Sequence, residues 1–165
     1  MQQWSWRRAV FVGGSIAGAL DILFAISFAS FNGVPPQRLL QMVASGLLGE
    51  PSYSGGMATA ALGLGLHFSI AYLLAGVFLL ASRRIKLLTQ HALLAGALFG
   101  IAVLLFMRLV VLPLSAFPHP VSFKPLATGL DLLSHMLLFG IPISLAARKA
   151  TPNNAMQAMR DNVRA

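Results

Sequence analysis

The chain has 165 residues, 57% of them hydrophobic and only 10% charged, with a mean hydropathy of +0.77. A soluble domain carries ~25% charged side chains, so a soluble globular domain, a disordered tail and a secreted disulfide scaffold are all excluded. The net charge is +8 and cysteine is absent; the basic residues collect at the ends of apolar runs, the pattern of membrane topology rather than of nucleic-acid binding.

Four apolar runs are each close to the ~20 residues needed to cross a bilayer. Span 1 covers Ala9 to Phe31, span 2 Met57 to Ala81, span 3 Ala92 to Leu112 and span 4 Leu126 to Ala147. The expected fold is all-α: a polytopic membrane four-helix up-down bundle, one domain over residues 1–150, followed by a polar cytoplasmic tail over 151–165. Trp4 and Trp6 precede span 1 as an interfacial aromatic belt. The basic start and Ser27-Phe28-Ala29 also resemble a cleavable leader, but Asp21 interrupts the apolar stretch and favours a retained span.

The loop between spans 1 and 2 contains helix punctuation. Pro35-Pro36 opens the stretch Gln37 to Leu48, and Gly49 closes it. Gln37, Arg38, Gln41 and Ser45 share one face, predicting a short amphipathic helix lying on the outer interface. Between spans 3 and 4, Pro113, Pro118, Pro120 and Pro125 predict a stiff extended loop. His91 and His119 fall in loops and read as solvated. Pro142 predicts a kink in span 4 that frees the carbonyl near Leu138, a candidate hinge on the cytoplasmic side. Met156, Met159 and Val163 could line one face of a short helix in the tail.

Orientation follows from lysine and arginine. Arg7, Arg8, Arg83, Arg84, Lys86, Arg148, Lys149, Arg160 and Arg164 fall on one side of a four-span topology, against Arg38 and Lys124 on the other. The positive-inside rule places both termini in the cytoplasm of a bacterial inner membrane. The partners are then the bilayer itself and a homodimer or another membrane protein, with no nucleic acid. A dimer could use the Gly14–Gly18 face.

Ionisable residues inside spans are costly and mark interior, paired or functional positions. There are five: Asp21, His67, Arg108, Asp131 and His135. At ~1.5 Å rise per residue, Arg108 and Asp131 lie at similar depth near the outer ends of spans 3 and 4, as a structural ion pair. Asp21, His67 and His135 lie deeper, near the midplane. Small residues mark close helix packing: Gly14 and Gly18 on the stripe of Asp21, Gly63 on that of His67, and Gly96 and Gly100 on span 3. In a closed ring, spans 2 and 4 are diagonal, so His67 and His135 face each other and Asp21 reaches either imidazole. The expected site is a midplane Asp21–His67–His135 cluster, beneath a separate Arg108–Asp131 pair, handling a proton, an ion or a small polar ligand.

Two alternatives stay open. The polar groups could be helix-to-helix glue in a non-catalytic scaffold or partner subunit. His67 and His135 could also ligate haem b, although two histidines without a further motif are a weak signal; the expectation is no cofactor and no metal. No phosphate loop, His-Glu-x-x-His or carboxylate triad is present, so no enzyme is expected.

Ala17-Gly18-Ala19-Leu20 recurs as Ala95-Gly96-Ala97-Leu98, and spans 2 and 4 each carry one histidine, a pattern compatible with a duplicated half. Finally, Gly18-Ala19-Leu20-Asp21-Ile22, Ala44-Ser45-Gly46-Leu47-Leu48-Gly49, Gly63-Leu64-Gly65-Leu66-His67-Phe68 and Val111-Leu112-Pro113-Leu114-Ser115 together resemble a group of small uncharacterised bacterial inner-membrane proteins with four spans. The resemblance covers Gly13 to Arg148 and implies a bacterial origin and four spans; no activity attaches to it.

Overall fold

The computed structural model describes residues 3–151, so the expectations for Met156, Met159, Arg160, Val163 and Arg164 lie outside the described residues. Every regular element within that range is helical. The elements are α1 (Trp6–Phe31), α2 (Pro36–Leu48), a 3-10 turn (Glu50–Ser54), α3 (Gly56–Arg84), the single turn α4 (Leu87–Gln90), α5 (Ala92–Leu114) and α6 (Pro125–Ala150). The long helices α1, α3, α5 and α6 are 23 to 29 residues and apolar enough to cross a membrane, and the chain is a multi-pass membrane protein.

Local chemistry sets the ends. Ser5 caps α1 by accepting the Arg8 backbone N–H at 3.2 Å, satisfying one of the donors that a helix start leaves free. Asn32 closes α1 by donating its side-chain amide to the Phe28 carbonyl at 2.8 Å. Gly49, at φ +65°, ends α2 in a conformation that other residues adopt at a cost.

The four spans do not form a closed ring. α1 and α6 pack together at the centre, α3 packs on the outer flank of α1, and α5 on the outer flank of α6. The most apolar windows of α6 and α1 are 39% and 33% buried, against 22% for α3 and 17% for α5. This order, α3–α1–α6–α5, corrects the expected ring: α3 and α5 are not packed along their length. The cause is side-chain size. A Cβ on Gly13 would sit 2.8 Å from Ala146, and one on Gly96 would sit 2.7 Å from the Ile141 Cα. A Cβ on Gly100 would run into the His135 carbonyl. These small residues let backbones touch. On the α3–α5 seam the facing residues are Leu66, Ile70, Leu74, Val103, Met107 and Val111, which hold the helices apart. Phe78 and Phe99 bridge the seam edge to face, with centroids 4.9 Å apart.

The expected Gly14–Gly18 dimer face is also corrected. Both glycines are buried inside the chain, where a Cβ would meet Tyr72 at 2.6 Å and Phe68 at 3.0 Å. Gly18 thus seats α3 and Gly96 seats α6, so the glycine of each Ala-Gly-Ala-Leu copy packs the second span of its own half.

α2 is a helix as expected, with Gln37 and Arg38 of its polar face exposed and the other two residues turned inward. Gln41 and Ser45 are buried, and Gln41 donates to the Gly56 carbonyl at 3.0 Å. Ser45 Oγ donates within its own helix, to the Met42 carbonyl at 2.7 Å, so of the two Gln41 alone ties α2 to the start of α3. The backbone of α2 lies directly on Gly63, with no room for a Cβ. α2 therefore lies as a roof over the N-terminal half of α3.

Two widened π-helical turns, Met107–Val111 and His135–Gly140, each end two residues before a proline, Pro113 and Pro142. Proline lacks an N–H and its ring collides with the carbonyl four residues back, here Leu109 and Leu138, which lie inside those turns. Both helices absorb the proline this way. Span 3 runs on through Pro113 to Leu114, beyond its expected end, and Pro142 sits in continuous helix after a π turn.

At the basic end, the Trp4 backbone N–H donates to the Lys149 carbonyl at 3.0 Å. The Trp4 ring lies between Arg8 at 4.9 Å and Lys149 at 4.7 Å, and Arg83 covers Trp6 at 5.6 Å. These contacts clasp the ends of α1, α3 and α6 together.

Candidate functional site

The π turns carry two of the five intramembrane ionisable residues. Arg108 is in the α5 turn and His135 opens the α6 turn. Such turns occur often at functional sites because they re-aim side chains. Asp131 lies one turn before His135 on the same face of α6.

Arg108 Nη2 donates to Asp131 Oδ2 at 2.8 Å. Its Nη1 donates to the Ser122 carbonyl at 2.9 Å, and its guanidinium lies 5.4 Å from the Phe123 ring centre. The proline-rich loop is thereby pulled across the C-terminal end of α5. The other Asp131 oxygen, Oδ1, lies 3.2 Å from His135 Nδ1. The same nitrogen is 3.0 Å from the Asp131 carbonyl and 3.8 Å from Asp21 Oδ1. All three neighbours are acceptors, so Nδ1 carries the proton and Nε2 of a neutral ring is the free acceptor. Ser134, which is buried, donates to Asp21 Oδ1 at 3.0 Å.

The ion pair therefore reaches His135 through Asp131, and Asp21, held by Ser134, stands 3.8 Å from the same imidazole nitrogen. His67 is apart from these contacts. Its Nε2 lies 2.9 Å from the Gly18 carbonyl, which can only accept, so Nε2 donates and Nδ1 is left as an acceptor. His67 is thus tied to the α1 backbone, whereas Asp21 engages Ser134 and His135. For a haem, this leaves only Nδ1 of His67 for an iron. Among the described residues, no three His, Cys, Asp or Glu side chains form a group that could hold a metal ion. His91 and His119 are exposed.

Asp21, His67 and His135 nevertheless share a space. They line one cavity of about 390 Å³ in the half of the α3–α5 seam that α2 covers. Its walls are Leu66, Ile70 and Leu74 of α3 and Val103, Met107 and Val111 of α5; Met42, Val43 and Leu47 of α2 roof it, and Phe139 lies at its base. Sequence reasoning missed the roof, Ser134 and the Gly18 carbonyl. Ser134 carries a signal, as a hydroxyl inside a span beside His135; a backbone carbonyl carries none.

No family model, curated protein or solved structure matches this chain.

The formal charges along the site are one guanidinium and two carboxylates. With neutral imidazoles the site carries one net negative charge and unengaged acceptors at His67 Nδ1, His135 Nε2 and Asp21 Oδ2. Among the described residues the one buried side-chain polar atom without a partner is Ser52 Oγ, remote from this chain of contacts. The three free acceptors are therefore not sealed in protein. Such an arrangement can accept a proton or hold a cation or hydrogen-bond donor in a low-dielectric setting, where an unmatched acid is expensive.

Proposed function

We propose that this protein binds a proton, an ion or a small polar ligand at the Asp21–His135 wall of the seam cavity, with His67 as a second acceptor. Asp21 is the anion of the site, His135 relays between Asp21 and Asp131, and Arg108 fixes Asp131. The carrying observation is the coincidence of a ligand-sized cavity with Asp21, His67 and His135 in its lining, since clefts with a few convergent polar groups are the usual form of ligand sites. The role is binding or relay rather than catalysis, without a bound cofactor. The basic end clasped by Trp4 and Trp6 is read as cytoplasmic, in a bacterial inner membrane. A reporter fused after Ala165 tests that orientation, and activity of a periplasm-only reporter there contradicts it.

The site is tested with histidine-labelled protein in lipid nanodiscs. Sodium, potassium or propylammonium should shift the ring signals of His135 saturably, and Asp21→Asn should abolish the shift. Rings of His67 and His135 that respond to none of these cations, or respond equally in Asp21→Asn, contradict the reading. A scaffold or partner-subunit role is the second reading, favoured by the unpaired apolar seam; it predicts that Asp21→Asn changes neither ring response nor cellular phenotype.

A further inference from the structure

The cavity differs from a water-filled site in two respects. Its lining is almost wholly aliphatic or aromatic apart from Asp21, His67, His135 and Ser115. It also lies between α3 and α5, the two spans that are not packed together, so its side faces the hydrocarbon of the bilayer. The continuation of the same seam beyond the Phe78–Phe99 bridge is an apolar groove lined by Val77, Leu94, Leu98 and Ala102. A ligand approaching from the membrane meets apolar walls first and the polar groups last.

The polar groups are selective in kind. Asp21 Oδ2, His67 Nδ1 and neutral His135 Nε2 are all acceptors, while Arg108 bonds Asp131 and Ser122 and does not line the cavity. A carboxylate or phosphate head would find no free donor and would face Asp21. An ammonium head would neutralise Asp21 and fill the acceptors, which is the pairing that makes a buried charge tolerable. The volume, about 390 Å³, is at the low end of the ~300–1,000 Å³ typical of ligand pockets, enough for one chain.

Resting on the proposed cation or polar-ligand site, we infer that its ligand is a single-chain amphiphile with a primary ammonium head, which enters sideways from the bilayer between α3 and α5. The head lies against Asp21 and His135. The tail runs along Ile70, Leu74, Val103 and Met107 toward the lipid. A tail of about a dozen carbons spans roughly half of the ~30 Å hydrocarbon core.

The absence of native cysteine permits a clean protection experiment. Met42→Cys puts one thiol in the roof of the cavity, where Met42 is 40% exposed. Met57→Cys, at a residue 70% exposed and outside the cavity, reports general effects on the membrane. Maleimide labelling is followed in phosphatidylcholine nanodiscs with dodecylammonium, dodecanoate or propylammonium. Dodecylammonium should slow labelling of Met42→Cys about tenfold, leave Met57→Cys unchanged, and lose its effect in Asp21→Asn. Equal protection by dodecanoate overturns the inference, because the head is then not recognised. Equal protection by propylammonium overturns the amphiphile and its sideways entry but leaves the polar-ligand site standing. Protection by none of the three overturns the inference, and with an unresponsive His135 ring it overturns the proposed site too. The amine-against-carboxylate comparison needs no change at Asp21, so the test survives if Asp21→Asn misfolds.

Discussion

The α5–α6 interface and the α3–α5 seam share one helix and differ in what α5 presents. Toward α6 it offers Gly96 and Gly100, and Gly140 on the other side completes a backbone-to-backbone contact. Toward α3 it offers Val103, Met107 and Val111. Lipid tails are as apolar as these side chains, so no hydrophobic force closes such a seam, and only small residues or polar partners draw spans together. The lesson is that the packed interfaces of this protein are written in glycine and alanine, and its opening in bulky aliphatics.

The largest expected effect is at the packed side. Gly100→Ala places a methyl group against the His135 backbone carbonyl, which cannot yield as a flexible side chain would. We expect a loss at or above the ~1–3 kcal/mol of ordinary overpacking, read as a large fall in Tm or loss of monodisperse protein in detergent. A wild-type Tm would show that α5 and α6 are further apart than described.

Next is the pair that joins the C-terminal end of α5 to the N-terminal end of α6. Arg108→Ala and Asp131→Ala each remove a partly exposed ion pair; their side chains are 18% and 33% exposed. The loss lies between the ~0–1 kcal/mol of surface pairs and the ~3–5 kcal/mol of broken buried ones, about 1–3 kcal/mol. The charge-swapped double variant Arg108→Asp with Asp131→Arg should recover less than half of the single-variant loss. Asp131 serves His135 as well as Arg108, and an arginine at 131 would face the His135 N–H. Full recovery in a thermal or denaturant titration would show that Asp131 and His135 are uncoupled.

The smallest effect sharpens the comparison from the open side. Val111→Phe adds bulk at a wall of the unpacked seam, so its stability cost should stay below about 0.5 kcal/mol, far from the usual penalty for overpacking. A Tm fall matching that of Gly100→Ala would mean that the seam is closed.

The spans themselves were readable because a run of about 20 apolar residues has few other outcomes in a protein. The depth of Arg108 and Asp131 was readable from helical rise alone, and the structure places the two in contact. The opening was not readable. A hydropathy pattern shows which residues are apolar but not which apolar faces meet, and a closed ring is merely the simplest assumption for short loops. The burial of Gln41 and Ser45 was hidden because they bond backbone carbonyls, Gly56 at the α3 start and Met42 in α2 itself, which one side-chain string does not display. His67 was assigned to Asp21 on depth, yet the Gly18 carbonyl was nearer, and carbonyls are invisible in a pattern of side chains.

The central claim is that bilayer hydrocarbon reaches the seam cavity between α3 and α5. It is tested most directly by photolysing the protein in nanodiscs containing a phosphatidylcholine with a diazirine in its acyl chain, then mapping the adducts by mass spectrometry. Adducts are expected on seam residues such as Ile70, Met107 and Val111 as well as on the outward-facing Leu73, Leu80, Leu105 and Phe106, which are 45–66% exposed, and not on the buried Ala17 or Ile143. Adducts confined to the outward-facing set, with Ile70, Met107 and Val111 unlabelled, would contradict the account.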